Sequence, residues 1–157
     1  MERVAMSKPS LIVRIPTPVW LLVLILAALA LDALLKAPAI LQYRPAGVVL
    51  ILAGLGLGVW AVLTFRKLRA QIKPHSDVHG TLVASGPFLF SRNPMYLANV
   101  AIGVGAALVA GTWLMWLVPI VLFMLDELVI IPFEERSVER TFGDAFRAYR
   151  TRVRRWI

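Results

Sequence analysis

The stretch from Pro45 to Phe65, PAGVVLILAGLGLGVWAVLTF, contains no charged residue. A helix crosses the hydrocarbon core of a bilayer in about 20 residues, and this stretch has that length. Three further apolar stretches, at about 17–35, 94–110 and 113–131, share this character. The sequence therefore predicts an all-α integral membrane bundle of four transmembrane helices. We expect it to form a single domain over residues 1–157.

Composition excludes several other classes of protein. The chain is 59% hydrophobic and 17% charged, and a soluble domain with that balance would expose large apolar patches. It has no cysteine and two histidines, His75 and His79, so we expect no disulfide and no metal site. The net charge of +8 is not accompanied by a nucleic-acid-binding motif. Most basic residues flank apolar stretches, where the anionic inner leaflet of a membrane attracts them, so we expect no nucleic-acid partner.

The distribution of Lys and Arg predicts the orientation. Four crossings bring both termini and the loop between the second and third helices to one face of the membrane. That face then carries 15 of the 17 Lys and Arg residues, and the other carries Lys36 and Arg44. Cytoplasmic loops carry the excess of positive charge, so we expect both termini in the cytoplasm, and the membrane to be a bacterial inner membrane.

Two segments on the cytosolic face are too polar to cross a bilayer. The loop from Arg66 to Asn93 contains an apolar patch around Gly86 and Pro87, and we expect it to dip against the helix ends as a re-entrant-like loop. The segment at about 133–152 carries an apolar stripe at three- and four-residue steps, with arginines on its other face. It predicts one amphipathic C-terminal helix that lies along the membrane surface or folds over the helix ends.

Four acidic residues stand at the cytosolic end of the fourth helix. Glu134 and Glu135 are adjacent, so their side chains lie about 100° apart on a helix and at most one faces the bundle. They either begin a solvated helix or serve a site. Asp126 and Glu127 lie one to two turns deeper, where an unpaired charge is costly and often functional. Snorkelling, or pairing with Arg66 or Arg69, is the structural alternative for these two.

The start of the third helix is a second candidate position. Arg92, Asn93 and Pro94 form a favourable helix start, with Asn93 as the N-cap and Pro94 in the first turn. A helix N-terminus also offers unpaired N–H groups to an anion. With Tyr96 one turn further on, this corner could hold a polar ligand. The small residues Gly54, Gly56, Gly58, Gly103 and Gly105 are more typical of close helix packing than of a ligand site.

These elements together resemble a known family. Leu82-Val83, Ser85-Gly86-Pro87-Phe88 and Ser91-Arg92-Asn93-Pro94-Met95-Tyr96-Leu97 are followed, after a helical hairpin, by Glu134-Glu135. Phe142-Gly143, Phe146 and Tyr149 complete the pattern. It is similar to the isoprenylcysteine carboxyl methyltransferase family, which is close to the phospholipid methyltransferases. The match covers about Gly80 to Ile157.

The resemblance implies a membrane-embedded methyltransferase that uses S-adenosyl-L-methionine and releases S-adenosyl-L-homocysteine. It places the cofactor at the cytosolic ends of the last helices and Glu134 at the amino-acid end of the cofactor. Arg92 and Glu135 are the implied catalytic residues. The other implied cofactor-binding residues are Gly80, Thr81, Leu82, Val83, Phe88, Asn93, Pro94, Met95, Tyr96, Gly103 and Gly105.

The chain departs from the family pattern at two positions. Asn93 stands where the family usually has His, and an amide cannot titrate near neutral pH. Ile130 stands where the prenylcysteine enzymes have an Arg that meets the substrate carboxylate, which puts a prenylcysteine substrate in doubt.

The expected function is methylation of a lipid-like or membrane-soluble acceptor at the cytosolic interface, through a carboxylate, thiol or amine. A carboxylate would need a cationic anchor, for which Arg92 and Arg136 are candidates. An amine would need to lose a proton to Glu134, Glu135, Asp126 or Glu127. The alternative is a non-enzymatic scaffold or transporter subunit, which would require polar residues along a path through the membrane. Here the helix centres are nearly free of polar residues. The oligomeric state is not readable from the sequence.

Overall fold

The computed structural model describes residues 11–68 and 82–157. Helices account for most of these residues, and the only β-pairing among them is one isolated bridge. The seven α-helices of these ranges are α1 (Leu11–Arg14), α2 (Thr17–Leu35), α3 (Arg44–Lys67), α4 (Pro94–Ala110), α5 (Trp113–Leu125), α6 (Ile131–Phe142) and α7 (Asp144–Arg152). A short 3-10 helix (Gly86–Leu89) precedes α4, and a π-helical segment (Asp126–Ile130) joins α5 to α6.

Three of these helices have the length and composition of membrane spans. They are α2, α3 and the continuous helix from Trp113 to Phe142, which runs through α5, the π segment and α6. The fourth apolar helix, α4, is shorter, with 17 residues. The chain is thus a multi-pass membrane protein in which a shorter apolar helix packs with three long ones.

Small residues bring α3 and α4 into backbone contact. A methyl group added at Gly105 would lie 2.7 Å from the carbonyl oxygen of Gly47, and one added at Gly54 would lie 2.9 Å from that of Ala98. Such an approach allows the wide van der Waals contact that joins helices in lipid. The packing expected of Gly54 and Gly105 is therefore confirmed. Gly56 meets no atom within 4 Å and contributes nothing to this contact.

The connections between α2 and α3 and between α4 and α5 lie together at one end of the bundle. Ala39 pairs with Thr112 in the isolated bridge, and the Gln42 side-chain amide donates to the carbonyl of Val109. The Thr112 hydroxyl donates to Asp32 at 2.6 Å, which joins the end of α2 to the start of α5. The three long helices and α4 therefore alternate in direction along the chain, and the starts of α2 and α4 share the opposite end with α6.

The C-terminal segment differs from the single helix predicted at about 133–152. Its first half is α6, which continues the axis of the membrane helix through the π segment. Pro132 has no N–H to donate to the carbonyl four residues earlier, and the adjacent Ile131 N–H bonds to Asp126 instead. The chain then turns at Gly143, where φ is +50°, and α7 begins at Asp144.

The apolar stripe of this segment nevertheless packs as one surface. Phe146, Tyr149 and Val153 form a buried cluster, against which Leu82 and Ala84 of the loop pack. The Tyr149 hydroxyl donates to the Phe88 carbonyl at 2.6 Å. Burial raises the pKa of Tyr149 to about 12, so the phenol is a neutral donor. The C-terminal segment thus folds over the helix ends and holds the loop that precedes α4.

Candidate functional site

A cluster of polar side chains lies where the starts of α2 and α4 meet the second half of the long helix from Trp113 to Phe142. Tyr96, in the first turn of α4, lies beside Glu134 and Asp126 of that helix. Thr17, the first residue of α2, lies beside the same phenol and is buried. We call Thr17, Tyr96, Asp126 and Glu134 the acidic corner. It brings two carboxylates and two hydroxyls together at one end of an otherwise apolar bundle.

The two carboxylates of the acidic corner differ in exposure. Asp126 has no exposed surface, and neither of its oxygens has a hydrogen-bond partner in the described part of the chain. Glu134 is surrounded by protein atoms on one side and exposed on the other. A ligand can therefore reach the Glu134 carboxylate from outside the protein, whereas the Asp126 carboxylate is enclosed. Buried polar groups without partners are rare in folded proteins, so Asp126 requires an explanation.

The start of α4 is not capped by a side chain. Asn93 is the N-cap residue, as predicted, and α4 begins at Pro94. Its side chain makes no cap hydrogen bond, however, because its amide donates to the Arg155 carbonyl of the C-terminal tail. Among the described residues the N–H groups of the first turn of α4, including that of Tyr96, have no partner, which leaves them to water or a ligand.

Arg92 and Glu135 form an ion pair next to the acidic corner. Arg92 donates twice to one carboxylate oxygen of Glu135, at 2.8 and 3.2 Å, and also to the carbonyl of Val153. Both side chains are largely buried, with 10% and 14% of their surface exposed. The other oxygen of Glu135 accepts from Arg155 at 2.7 Å. The two residues that the resemblance implies as catalytic thus share their charges with each other and with the C-terminal tail.

Glu127 is bound by the same tail. Arg155 donates to one oxygen of Glu127 at 2.5 Å, and the Trp156 indole donates to the other at 2.8 Å. The alternative pairing of Glu127 with Arg66 is not observed, because Arg155 and Trp156 bind Glu127 instead. Arg69, the other partner considered, lies outside the described residues. The hydrogen bond to Glu135, together with Glu127, raises the pKa of Arg155 above its ordinary value. This residue is therefore a permanent cation between two carboxylates.

Of the predicted cofactor residues in the loop, two lie outside the described residues and the others pack in two apolar clusters. Gly80 and Thr81 lie outside the described residues. Val83 and Phe88 are buried with Ala61 of α3, and Met95 packs against them. Leu82 packs in the cluster of Phe146, Tyr149 and Val153. The hydrophobic contacts that these side chains make fix the loop against α3 and α7.

The remaining predicted residues divide between the corner and the bundle. Pro94 is buried at the start of α4, beside the corner. Gly103 lies nine residues further along, or about 14 Å along the helix axis. A methyl group at Gly103 would touch Pro119 of α5, and Gly105 faces Gly47 of α3. Both glycines therefore serve helix packing and lie away from Tyr96 and Glu134.

Sequence reasoning missed three residues of this region. Thr17 follows Pro16 and reads as an ordinary helix start, and Trp156 reads as an interface anchor. In the structure Trp156 also stacks on Phe123, with ring centroids 4.9 Å apart. Arg155 reads as one more basic residue of a positive tail. No local pattern indicates that these residues reach partners about 20 to 80 positions away in the chain.

The fold and the site define a class: a polytopic helical membrane protein with a carboxylate-lined corner at one end of its bundle. Residues 43–145 match the family model described as phospholipid methyltransferase. This match covers well over half of the chain. The chain belongs to the phospholipid methyltransferase family, in agreement with the resemblance stated above, and at this general level it is a membrane methyltransferase.

One relative is an uncharacterized protein of Haemophilus influenzae. It is 36% identical to this chain over 63 residues, which is 40% of this chain and the whole length of the relative. No solved structure matches the chain significantly.

Proposed function

We propose that this protein transfers a methyl group from S-adenosyl-L-methionine to a lipid-like or membrane-soluble acceptor at the cytosolic face of the membrane. In this proposal α2, α3, α4 and the helix from Trp113 all cross the bilayer, and both termini are cytoplasmic. The observation that carries it is the acidic corner, in which Glu134 is accessible beside Tyr96, in a member of a methyltransferase family. The products are S-adenosyl-L-homocysteine and the methylated acceptor.

The residues of the corner fit this cofactor. Its amino-acid end has an ammonium and a carboxylate, and the corner offers one partner to each: the Glu134 carboxylate and the uncapped first turn of α4. Bound there, the cofactor supplies an activated methyl group. The protein's own contribution is to hold the acceptor in line with that group and to exclude water.

In this proposal Arg92 and Glu135 are positioning residues. Their ion pair joins the start of α4 to α6, and Arg92 also binds the carbonyl oxygens of Arg150 and Val153 at the end of α7. Because Pro94 and Tyr96 follow directly, the pair fixes the first turn of α4 relative to Glu134. Both side chains thereby act on the site through the residues next to them.

The loop before α4 supports an interfacial site. Leu89 and Phe90 expose 56% and 68% of their surface, although Val83, Pro87 and Phe88 beside them are buried. Exposed apolar side chains next to the end of a membrane helix bury themselves in the lipid boundary. We therefore propose that the loop dips into the inner leaflet, as a re-entrant-like element does, and borders the entry to the corner.

The charges around the corner favour an amine over a carboxylate as the methyl acceptor. A carboxylate needs a cation that faces the corner, but Arg92 is paired with Glu135, and the exposed Arg136 side chain bonds back along its own helix to the carbonyl of Pro132. An amine needs an acid that is not already paired, and Asp126 is one. A thiol remains the second candidate, since it too must lose a proton.

Calorimetric titration of the purified protein with S-adenosyl-L-methionine tests the proposal. Saturable binding is expected, with competition by S-adenosyl-L-homocysteine, and a protein that binds neither would overturn it. Membranes that contain the protein should then transfer radiolabel from the methyl group of the cofactor to a lipid or another membrane-soluble molecule. Extraction separates these products from labelled protein or a volatile product and so identifies the acceptor class.

A further inference from the structure

Asp126 is the buried charge that the proposed function leaves unassigned. Of the four acidic residues near the corner, Glu127 and Glu135 are bound by Arg155 and Arg92, and Glu134 is accessible to the cofactor. Asp126 has no exposed surface, and both of its carboxylate oxygens lack a hydrogen-bond partner in the described part of the chain. A buried carboxylate in this state is costly unless a donor reaches it.

The depth of Asp126 separates it from the water-facing residues. It follows Trp113 by thirteen residues, which is about 20 Å along a helix axis, whereas the hydrocarbon core is about 30 Å thick. Asp126 therefore lies within the inner half of the apolar layer. It also begins the π-helical segment, a distortion that is frequently found at functional sites.

An apolar cleft of about 340 Å³ lies on the same helices as Tyr96 and the start of the π-helical segment. It lies between α4 and α5 and is lined only by apolar side chains, namely Val100, Val104, Trp116, Pro119, Ile120, Phe123 and Met124. On α4, Tyr96, Val100 and Val104 are four residues apart and form one stripe. On α5, Phe123 lies one turn before Asp126. Two residues that line the cleft, Val100 and Phe123, are thus one helical turn along their helices from Tyr96 and Asp126 respectively.

We infer that Asp126 binds the amine of the methyl acceptor while the hydrocarbon chain of the same molecule lies in the cleft between α4 and α5. The inference rests on the proposed function and names the acceptor's binding residue. The chemistry of the ligand follows from the two oxygens without partners, because they accept hydrogen bonds. An ammonium group with N–H donors can satisfy both, whereas a sulfonium has no donor and can satisfy neither.

The same contact would provide the proton transfer that methylation requires. The ammonium gives one proton to Asp126, and the nitrogen lone pair then forms the new N–C bond. The S–C bond breaks with its electron pair left on sulfur, which becomes a neutral thioether. The nitrogen becomes a methylated ammonium, and the proton held by Asp126 leaves for water before the next cycle.

The first test is binding without turnover, with the full chain in nanodiscs of dioleoylphosphatidylcholine, a lipid that has no N–H donor in its headgroup. Dodecylamine and dodecanol have equal chains and differ in the head group. We expect dodecylamine to bind the wild-type protein about tenfold or more tightly than dodecanol, as measured by the shift in unfolding temperature. In Asp126→Asn this preference should disappear. Its affinity for S-adenosyl-L-methionine should stay within about twofold of the wild type.

Asp32→Asn is the matched control, because it makes the same chemical change at the opposite end of the bundle. Its amide oxygen can still accept the hydrogen bond from Thr112, so it should keep the wild-type amine preference. An unchanged amine preference in Asp126→Asn would overturn the inference. Loss of cofactor binding with the amine preference intact would also overturn it, since Asp126 would then serve the cofactor.

A comparison within the wild-type protein covers the case in which Asp126→Asn does not fold. Dodecyltrimethylammonium has the charge and chain of dodecylamine but no N–H donor. Tighter binding of dodecylamine supports the assignment, and equal binding of the two overturns it. The failure of the proposed function is a separate result: the protein would then bind no S-adenosyl-L-methionine, whatever its preference among amines.

Discussion

At the scale of single residues, the adjacent acids Glu134 and Glu135 have different partners. Their spacing on a helix predicted that at most one would face the bundle, and in the structure Glu135 pairs with Arg92 while Glu134 lies beside Tyr96. The sequence could therefore separate their directions. It could not assign the partners of Glu127, because those depend on where the C-terminal tail folds.

Glu134→Gln should weaken binding of S-adenosyl-L-methionine by about tenfold or more, because a neutral amide replaces the charged partner of the cofactor's ammonium. Folding should be intact, since Glu134 is exposed on one side and makes no ion pair with the described residues. Calorimetry gives the affinity, and the unfolding temperature reports the fold. Glu139→Gln removes an acid that faces Arg147 and Arg150 at the surface, so its affinity should match the wild type. Equal affinity in Glu134→Gln would refute the assigned role.

Tyr149→Phe should lower the free energy of unfolding by about 1–3 kcal/mol, because the carbonyl of Phe88 loses its buried donor. Burial raises the pKa of Tyr149 from 10.0 to about 12, so the phenol is protonated over a wider range in the folded state. Its contribution is fully present below pH 10 and is lost as the pH rises towards about 12.

Denaturant unfolding of the purified protein in detergent measures this difference. Tyr43→Phe is the control, because Tyr43 exposes 60% of its surface and should unfold like the wild type. If Tyr149→Phe lost no stability at neutral pH, the hydrogen bond would not hold the loop to α7.

At the scale of helices and turns, the C-terminal segment shows what a periodic pattern can predict. The three- and four-residue steps from Val138 to Val153 indicated one apolar face, and these side chains do pack together. The same steps could not locate the break, because α6 and α7 present their stripes to one cluster across Gly143. The break depends on a backbone angle, which hydrophobic spacing does not encode.

Gly143→Ala should destabilise the protein by about 1–3 kcal/mol, because φ of +50° with ψ of −119° is strained for a residue with a Cβ atom. Steric contact cannot be the cause, as nothing lies within 4 Å of the added methyl group. Gly56 has equally open surroundings but lies within α3, so Gly56→Ala should be neutral or slightly stabilising. The difference in unfolding temperature between the two variants therefore measures the cost of the backbone conformation at Gly143. Equal effects of the two substitutions would contradict this account of the turn.

At the scale of the whole molecule, the sequence predicted the apolar helices well, but it did not predict how the C-terminal tail binds the end of the bundle. Each long helix follows from its own composition, and α4 begins at Pro94 and ends at Ala110, as the apolar stretch indicated. The position of the tail depends on Arg155 and Trp156, which lie at the C-terminus and bind Glu127. Such pairs form only after the bundle brings distant segments together. Hydropathy therefore predicts the bundle, while long-range charge pairs join the C-terminal tail to the end of the bundle.

The orientation of the bundle is testable because the chain has no cysteine, so a single introduced thiol reports one position. Ala39 lies in the connection between α2 and α3, Ala145 lies on α7, and both are exposed. Since 15 of the 17 Lys and Arg residues belong to the face predicted as cytoplasmic, a membrane-impermeant maleimide should label Ala39→Cys in spheroplasts of an expressing bacterium. Ala145→Cys should react only after the membrane is permeabilised.

The labelling result also tests whether the acidic corner faces the compartment that contains the proposed cofactor. Ala39 shares the end of the bundle with Thr112, whereas Ala145 shares the other end with Glu134 and Tyr96. S-adenosyl-L-methionine is charged and cannot cross the apolar layer unaided, so the corner must open to the compartment that contains it. Denatured samples of both variants provide the control for thiol reactivity. Labelling of Ala145→Cys in intact spheroplasts would reverse the orientation and separate the corner from the cytosolic cofactor.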